Sequence, residues 1–125
     1  MRDLVSNIGA VLALAPAVQA AAVTGPAIDL QKAERVAFLL TTGAASGDFG
    51  ATLQESTDGA TGWADVAAAH RQTNAPATLA ASSSYKLGYL GNKRYVRLSI
   101  TKVGGTSIAA GAVAVLGHTT TRPVA

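Results

Sequence analysis

Residues 35–41 place Val36, Phe38 and Leu40 on one side of an extended chain and Arg35 and Thr41 on the other. Residues 95–102 repeat the device, setting Val96, Leu98 and Ile100 against Tyr95, Arg97 and Ser99. Successive side chains of extended backbone point opposite ways, so a period of two marks a strand with one buried face and one wet face. A helix would scatter the same residues around its circumference. Two such strands oblige the chain to build a sheet whose apolar face must be covered, which is the main constraint on its fold.

The remaining chain reads as further short strands divided by turn residues. Residues 18–24 form a strand ended by Gly25-Pro26, and 43–50 is a loop of small residues. Residues 51–56 form a strand that points Leu53 inward. Thr57-Asp58-Gly59-Ala60-Thr61-Gly62 follows as the strongest turn signal, since Asp-Gly tolerates the positive φ of hairpin loops. Residues 63–66 return as the paired strand, and Asn74-Ala75-Pro76 breaks any helix between 67 and 81. The strands 85–89 and 95–102 are joined by Leu90-Gly91-Asn92-Lys93; Gly104-Gly105 makes a turn into a last strand over 107–116. About seven strands at this spacing predict an all-β, antiparallel β-sandwich. Its expected core is Phe38, Leu40, Leu53, Trp63, Val66, Val96, Leu98 and Ile100, with the sole tryptophan as an anchor.

A chain of 125 residues is one domain's worth. Apolar residues reach 49 %, but much of that is alanine and aromatics are only 5 %, so the core must rest on a few large side chains. Charged residues are 14 %, well under the roughly 25 % of an average soluble domain. Such a surface suits a protein packed against neighbours. The net charge of +3 comes without a dense basic stripe; Lys93, Arg94 and Arg97 are the nearest candidates, and no nucleic-acid partner is expected. With no cysteine, disulfides and thiolate chemistry are excluded.

The first 25 residues resemble a secretion signal, with an apolar run over 8–18 followed by small residues. Against that reading, Arg2 is offset by Asp3 and Pro16 interrupts the run. The run is also too short for a membrane-spanning helix, which needs ~20 apolar residues, so no membrane partner is expected. Leu4, Val5, Ile8, Val11, Leu12 and Ala15 sit at helical spacing, which predicts a short helix over 3–15 or an extended arm. Such a segment either packs on its own domain or docks as an arm on a neighbouring subunit, and Pro16 and Gly25-Pro26, which set it apart from the domain, favour the arm.

Nothing in the sequence assembles into a catalytic or cofactor site. His70 and His118 lack metal-ligand spacing, and Asp48, Asp58 and Asp65 lack the D-x-D-x-D-G order of a calcium loop. Ser82-Ser83-Ser84 has no nucleophile elbow, and Gly43-Ala44-Ala45-Ser46-Gly47 lacks the Gly-Lys-Ser/Thr ending of a phosphate cradle. The expectation is a protein that is not an enzyme and carries no cofactor or metal.

Two stretches carry a resemblance. Residues 53–66, with Ser56, Asp58, Gly59, Trp63 and Val66, and the strand Arg94-Tyr95-Val96-Arg97-Leu98 are similar to a hairpin and strand of jelly-roll sandwiches such as discoidin-like and carbohydrate-binding domains. With residues 85–93 ahead of that strand and Gly25-Pro26-Ala27-Ile28-Asp29-Leu30 earlier, roughly residues 25–117 look still more like small proteins of the structural gene clusters of tailed bacteriophages. The resemblance implies a capsid decoration, or cement, protein with a jelly-roll-like sandwich. It also implies the major capsid protein as partner, a homo-oligomer with the trimer favoured, and a place on the virion surface after synthesis in the host cytoplasm. A head–tail connector or tail component, or a carbohydrate-binding sandwich using Tyr85, Tyr89 and Tyr95, are the alternatives. The expected organisation is an arm over 1–25, a sandwich over 26–118 and a tail over 119–125. Leu4, Val5, Ile8, Val11, Leu12, Tyr89, Arg94 and Arg97 are the expected partner-interface residues.

Overall fold

The computed structural model describes residues 4–31 and 33–119. Among them the chain forms eight strands in one antiparallel sheet, so the fold is all-β. The strands are β1 (Ile8–Gln19), β2 (Val23–Thr24), β3 (Ile28–Asp29), β4 (Ala33–Ser56), β5 (Ala64–Asp65), β6 (Arg71–Thr73), β7 (Ser84–Tyr89) and β8 (Tyr95–Thr119). Two of them, β4 and β8, run 24 and 25 residues and pair along their whole length from Ala33↔Thr119 to Ser56↔Tyr95. Around this ribbon the order is β1-β8-β4-β7-β6 at one end, while β2 and β3 join β8 and β5 joins β4 at the other.

Long strands of this kind cannot bury an apolar face unless the sheet turns on itself. Drawn out straight, residues 37–55 would put ~60 Å between their ends. Yet Tyr89, which follows the residue paired with Ala37, donates its hydroxyl to Glu55 Oε2 at 2.6 Å. The ribbon is therefore folded in half. Register shifts between Thr42 and Ala45, Ser46 and Gly47, and Asp48 and Phe49 mark the fold line. Each shift inserts an unpaired residue, which bends and twists the strand. At the line Gly47 (φ +126°) faces Gly105 (φ +100°); a Cβ on Gly105 would stand 2.1 Å from the Gly47 Cα, and one on Gly47 would stand 2.4 Å from the Gly105 Cα. Only two glycines allow the strands to approach so closely in this conformation.

Two sequence expectations are corrected here. The loop expected over 43–50 and the turn expected at Gly104-Gly105 are bends inside continuous strands. The glycines supply a bulge on each side of a ladder instead of ending it. The bend also flips the inward parity of β4, from Val36, Phe38, Leu40 and Thr42 before it to Phe49, Leu53 and Glu55 beyond it.

The two halves face each other across one core, in a sandwich-like arrangement. Phe38, Leu40 and Leu87 come from one side, Phe49, Leu53, Val96, Leu98 and Ile100 from the other, and Ile108 adjoins the bend. All of these are essentially inaccessible, and each contributes roughly 1.5–3 kcal/mol through burial. A strap over residues 74–83 crosses the bend and seats Leu79 in the core, its amide donating to the Phe49 carbonyl at 2.7 Å. Thr42 Oγ1 holds the strap by donating to the Ala80 carbonyl (2.6 Å) and accepting from the Ser83 amide (3.0 Å).

Of the expected core, Trp63 is the exception. Asp65 pairs with Gln54 on the outer side of β4, so Trp63, two residues earlier, shares that outer face while Val66 turns inward. The indole is half-buried beneath the Arg97 guanidinium, 4.2 Å from the ring centroid.

The N-terminal segment also differs from expectation. Instead of a helix over 3–15, a short 3₁₀ turn at Val5–Asn7 leads into β1, which pairs with β8 from Ile8↔Gly117 to Gln19↔Ile108. β1 is thus a sheet strand of its own chain, with Ala13 and Leu14 in the core. Strand β8 continues to Thr119, and the tail expected over 119–125 otherwise lies outside the described residues.

Candidate functional site

The half of the sheet made by β1, β8, β4, β7 and β6 has an outer face of unusual composition. Outer faces of antiparallel sheets are ordinarily polar. Here the pairs Leu12↔Val113, Val113↔Leu39 and Leu39↔Lys86 run straight across four strands. Directly opposed side chains stand about 5 Å apart, so Leu12, Val113 and Leu39 form one continuous apolar row. They remain 52, 40 and 45 % exposed. The next outward row, Ala10–Val115–Ala37–Gly88–Gln72, is small and nearly flat. A contiguous apolar patch on a lightly charged surface marks a site of protein contact more often than a site of chemistry.

Beside the row lies a groove of about 740 Å³ between β4, β7 and β6, with Ala37 and Gly88 at its floor and Arg35, Lys86 and Leu90 among its walls. Arg35 also lines a second groove that continues past Gly91 to Lys93 and Arg94. The described carboxylates lie elsewhere, each already engaged. Asp29 holds Arg94 through two contacts of 3.0 Å, Asp48 accepts from Thr78 Oγ1 (2.6 Å), and Asp65 accepts from Gln54 Nε2 (3.2 Å).

Asp58 is bound into the hairpin turn. Its carboxylate accepts from the amides of Thr61 and Ala60, both at 3.0 Å, and from the Thr61 and Ser56 hydroxyl groups. These donors, the two amides foremost, hold its pKa down at about 2. Glu55 takes the Tyr89 hydroxyl, whose own oxygen accepts from the Lys93 amide at 2.9 Å. Burial, reinforced by the bond to Glu55, pushes the Tyr89 phenol up to about 12.

The expected interface residues are spread over several places. Leu12 belongs to the apolar row. Val11, opposite Ala114, is on the inward side at the sheet's edge and is 40 % exposed. Leu4 and Val5 are strongly exposed just before β1, and Ile8 is half-buried at its start. Tyr89 differs from the expectation of a surface contact: it is 7 % exposed and its hydroxyl ties the two layers together. Arg94 is exposed but paired with Asp29, and Arg97 lies over Trp63 with its Nε donating to Gln54 Oε1 at 2.9 Å. Each of these two arginines is thus committed to its own local partners.

The alternative sites considered from sequence are likewise dispersed. Among the described residues no three His, Cys, Asp or Glu side chains are placed to hold a metal ion. His70 is exposed, and the side chain of His118 lies outside the described residues. Of the three tyrosines, Tyr89 is buried, Tyr85 Oη accepts from the Ala80 amide at 3.0 Å, and Tyr95 is half-buried under Arg94 at 5.0 Å. Among the described residues no helix is long and apolar enough to cross a membrane.

No family model, curated protein or solved structure matches this chain. The functional reading therefore rests on the residues themselves. Sequence reasoning missed Leu39, Val113 and Gly88. The signal for Leu39 was available, since it is a large apolar residue out of phase with Phe38 and Leu40 in a strand of known parity.

Proposed function

We propose that this chain is a structural subunit that decorates a larger protein shell, the setting being the bacteriophage capsid implied by the resemblance of roughly residues 25–117 to structural proteins of tailed phages. It acts by laying the outer face of its five-stranded half on neighbouring coat subunits, bracing them without chemistry of its own. The observation that carries this reading is the cross-strand row Leu12–Val113–Leu39, exposed on a face that a free-standing sheet would keep polar. The low share of charged residues supports it, and many copies on one shell would give avidity, so each contact can be modest.

The test is co-sedimentation of the purified protein with empty capsid shells, followed by counting copies per particle. Copies in proportion to coat subunits support decoration. A single ring's worth would identify a connector component instead, and absence from the shell fraction would refute the reading. A Val113→Glu variant that folds normally should lose shell binding, because a charge at the centre of the row, opposed only by Leu12 and Leu39, would be buried unpaired.

A further inference from the structure

Strand β7 contains a glycine that its backbone does not require. Gly88 sits between the buried Leu87 and Tyr89, facing outward between Ala37 on β4 and Gln72 on β6. Its φ is not among the positive ones. A Cβ there would meet nothing nearer than the Gln72 carbonyl oxygen at 3.7 Å, an ordinary contact. Glycine weakens a strand interior, and where neither conformation nor crowding calls for it, the remaining use is to let another chain approach closely.

The surroundings say what kind of chain. Arg35 and Lys86 stand among the walls of the notch that Gly88 opens, and Lys93 lines the continuing groove. Among the described residues none of the three has a carboxylate partner, the single ion pair being Arg94–Asp29. No described carboxylate lines either groove. A second copy of this chain is a poor occupant, since the carboxylates among the described side chains, Asp29, Asp48, Glu55, Asp58 and Asp65, are all engaged within their own molecule. Nucleic acid fits no better: the floor is small and apolar, and no exposed aromatic stands beside it to stack on a base.

We infer that the notch at Gly88 is the docking site for an extended, acidic segment of the partner protein, its backbone against Gly88 and a carboxylate between Arg35 and Lys86. This deepens, and rests on, the reading of the outer face as an assembly surface.

The experiment is fluorescence anisotropy on the full chain with a labelled octapeptide of alternating Glu and Val. An alternating Lys and Val octapeptide and a single-stranded DNA octamer serve as comparisons. The acidic peptide should bind, the basic one should not, and added salt should weaken the complex. The double variant Arg35→Gln, Lys86→Gln should weaken binding about tenfold, the sum of two partly exposed charge contacts. Gly88→Leu, which fills the notch and leaves the charge unchanged, should weaken it at least as much. Neither variant should melt below the wild type.

No binding of the acidic peptide, equal binding of the DNA, or wild-type affinity in either variant overturns the inference. The shell assay separates it from the parent reading. Wild-type protein that binds shells, with the double variant binding equally, overturns the groove and leaves decoration standing. Acidic-peptide binding that the variants abolish, without shell binding, overturns decoration and supports the groove.

Discussion

Replacing Gly105 by alanine puts a methyl group into the fold line, where its carbon would lie 2.1 Å from the Gly47 Cα and 2.6 Å from the Ser46 carbonyl oxygen. Two costs add. A φ of +100° is a conformation that side-chain-bearing residues avoid, at about 1–3 kcal/mol. The overlap is with backbone, which cannot rotate away, so the paired strands must separate by an ångström or more and lose contact around the bend. The expected total is about 3–5 kcal/mol, a large part of the roughly 5–15 kcal/mol that holds a domain together. At about 4 °C per kcal/mol this is a fall of ~12–20 °C in Tm. Two other glycines separate the two costs. Gly62 has φ +71°, and a Cβ there would have nothing within 4 Å, so Gly62→Ala carries the conformational cost alone, about 1–2 kcal/mol. Gly88→Ala carries neither cost and should be neutral or stabilising by about 0.5–1 kcal/mol. Urea unfolding followed by the fluorescence of Trp63, the sole tryptophan, reads all three variants. If Gly105→Ala proves no worse than Gly62→Ala, the strands do not meet at Gly47 and Gly105, and the account of the bend is wrong.

The polar contacts carry three further predictions. Asp58 has a folded pKa of about 2 against an ordinary 3.8, so its contribution is complete above about pH 4 and is lost as the pH falls through 2; the stability gap between wild type and Asp58→Asn, measured by urea midpoints from pH 5 to pH 2, should close over that window. Tyr89→Phe leaves Glu55 and the Lys93 amide without their hydroxyl partner and should cost about 1–3 kcal/mol in urea unfolding. With its phenol raised to about 12, wild type should also lose stability between pH 10 and 12 more steeply than this variant, because the unfolded chain gives up the proton first. Arg97→Ala uncovers the indole of Trp63 and should red-shift its emission while costing about 0.5–1 kcal/mol; an unchanged spectrum would contradict the stacking.

The parts of the fold legible in the sequence are those where one residue type has one structural meaning. Val36, Phe38 and Leu40, and again Val96, Leu98 and Ile100, alternate inward as expected, and Asp58-Gly59 makes its turn. Glycine is ambiguous by nature. Gly47 and Gly105 serve equally well in a loop or in a bulge, and only their facing each other across a ladder decides for the bulge, which a local reading cannot see. The N-terminal strand was hidden for a related reason. Register shifts between Leu12 and Leu14 and between Leu14 and Ala17 break the period of two, and the leftover spacing imitates a helix. Trp63 was misplaced inward although Val66, three residues on, cannot share a strand face with it. At the candidate site, Leu12 was legible as an apolar residue seeking a partner. Its neighbours Val113 and Leu39, far away in sequence, became visible only with the register.

The folded ribbon also sets an order of events for the nascent chain. The ladder between β4 and β8 is closest in sequence where Ser56 meets Tyr95 and most remote where Ala33 meets Thr119. Closing the shorter loops first costs less entropy, so within this ladder pairing is cheapest at the Ser56 end and dearest at the Ala33 end, while β6 and β7 close a shorter loop of their own where Thr73 meets Leu87. β1 waits longest, because Ile8 pairs with Gly117. During translation the earlier strand leaves the ribosome before its mate exists, carrying Val11, Leu12, Leu14 and Val18 unpaired. That interval is when the chain is most vulnerable to sticking to others, and faster completion of β8 would shorten it.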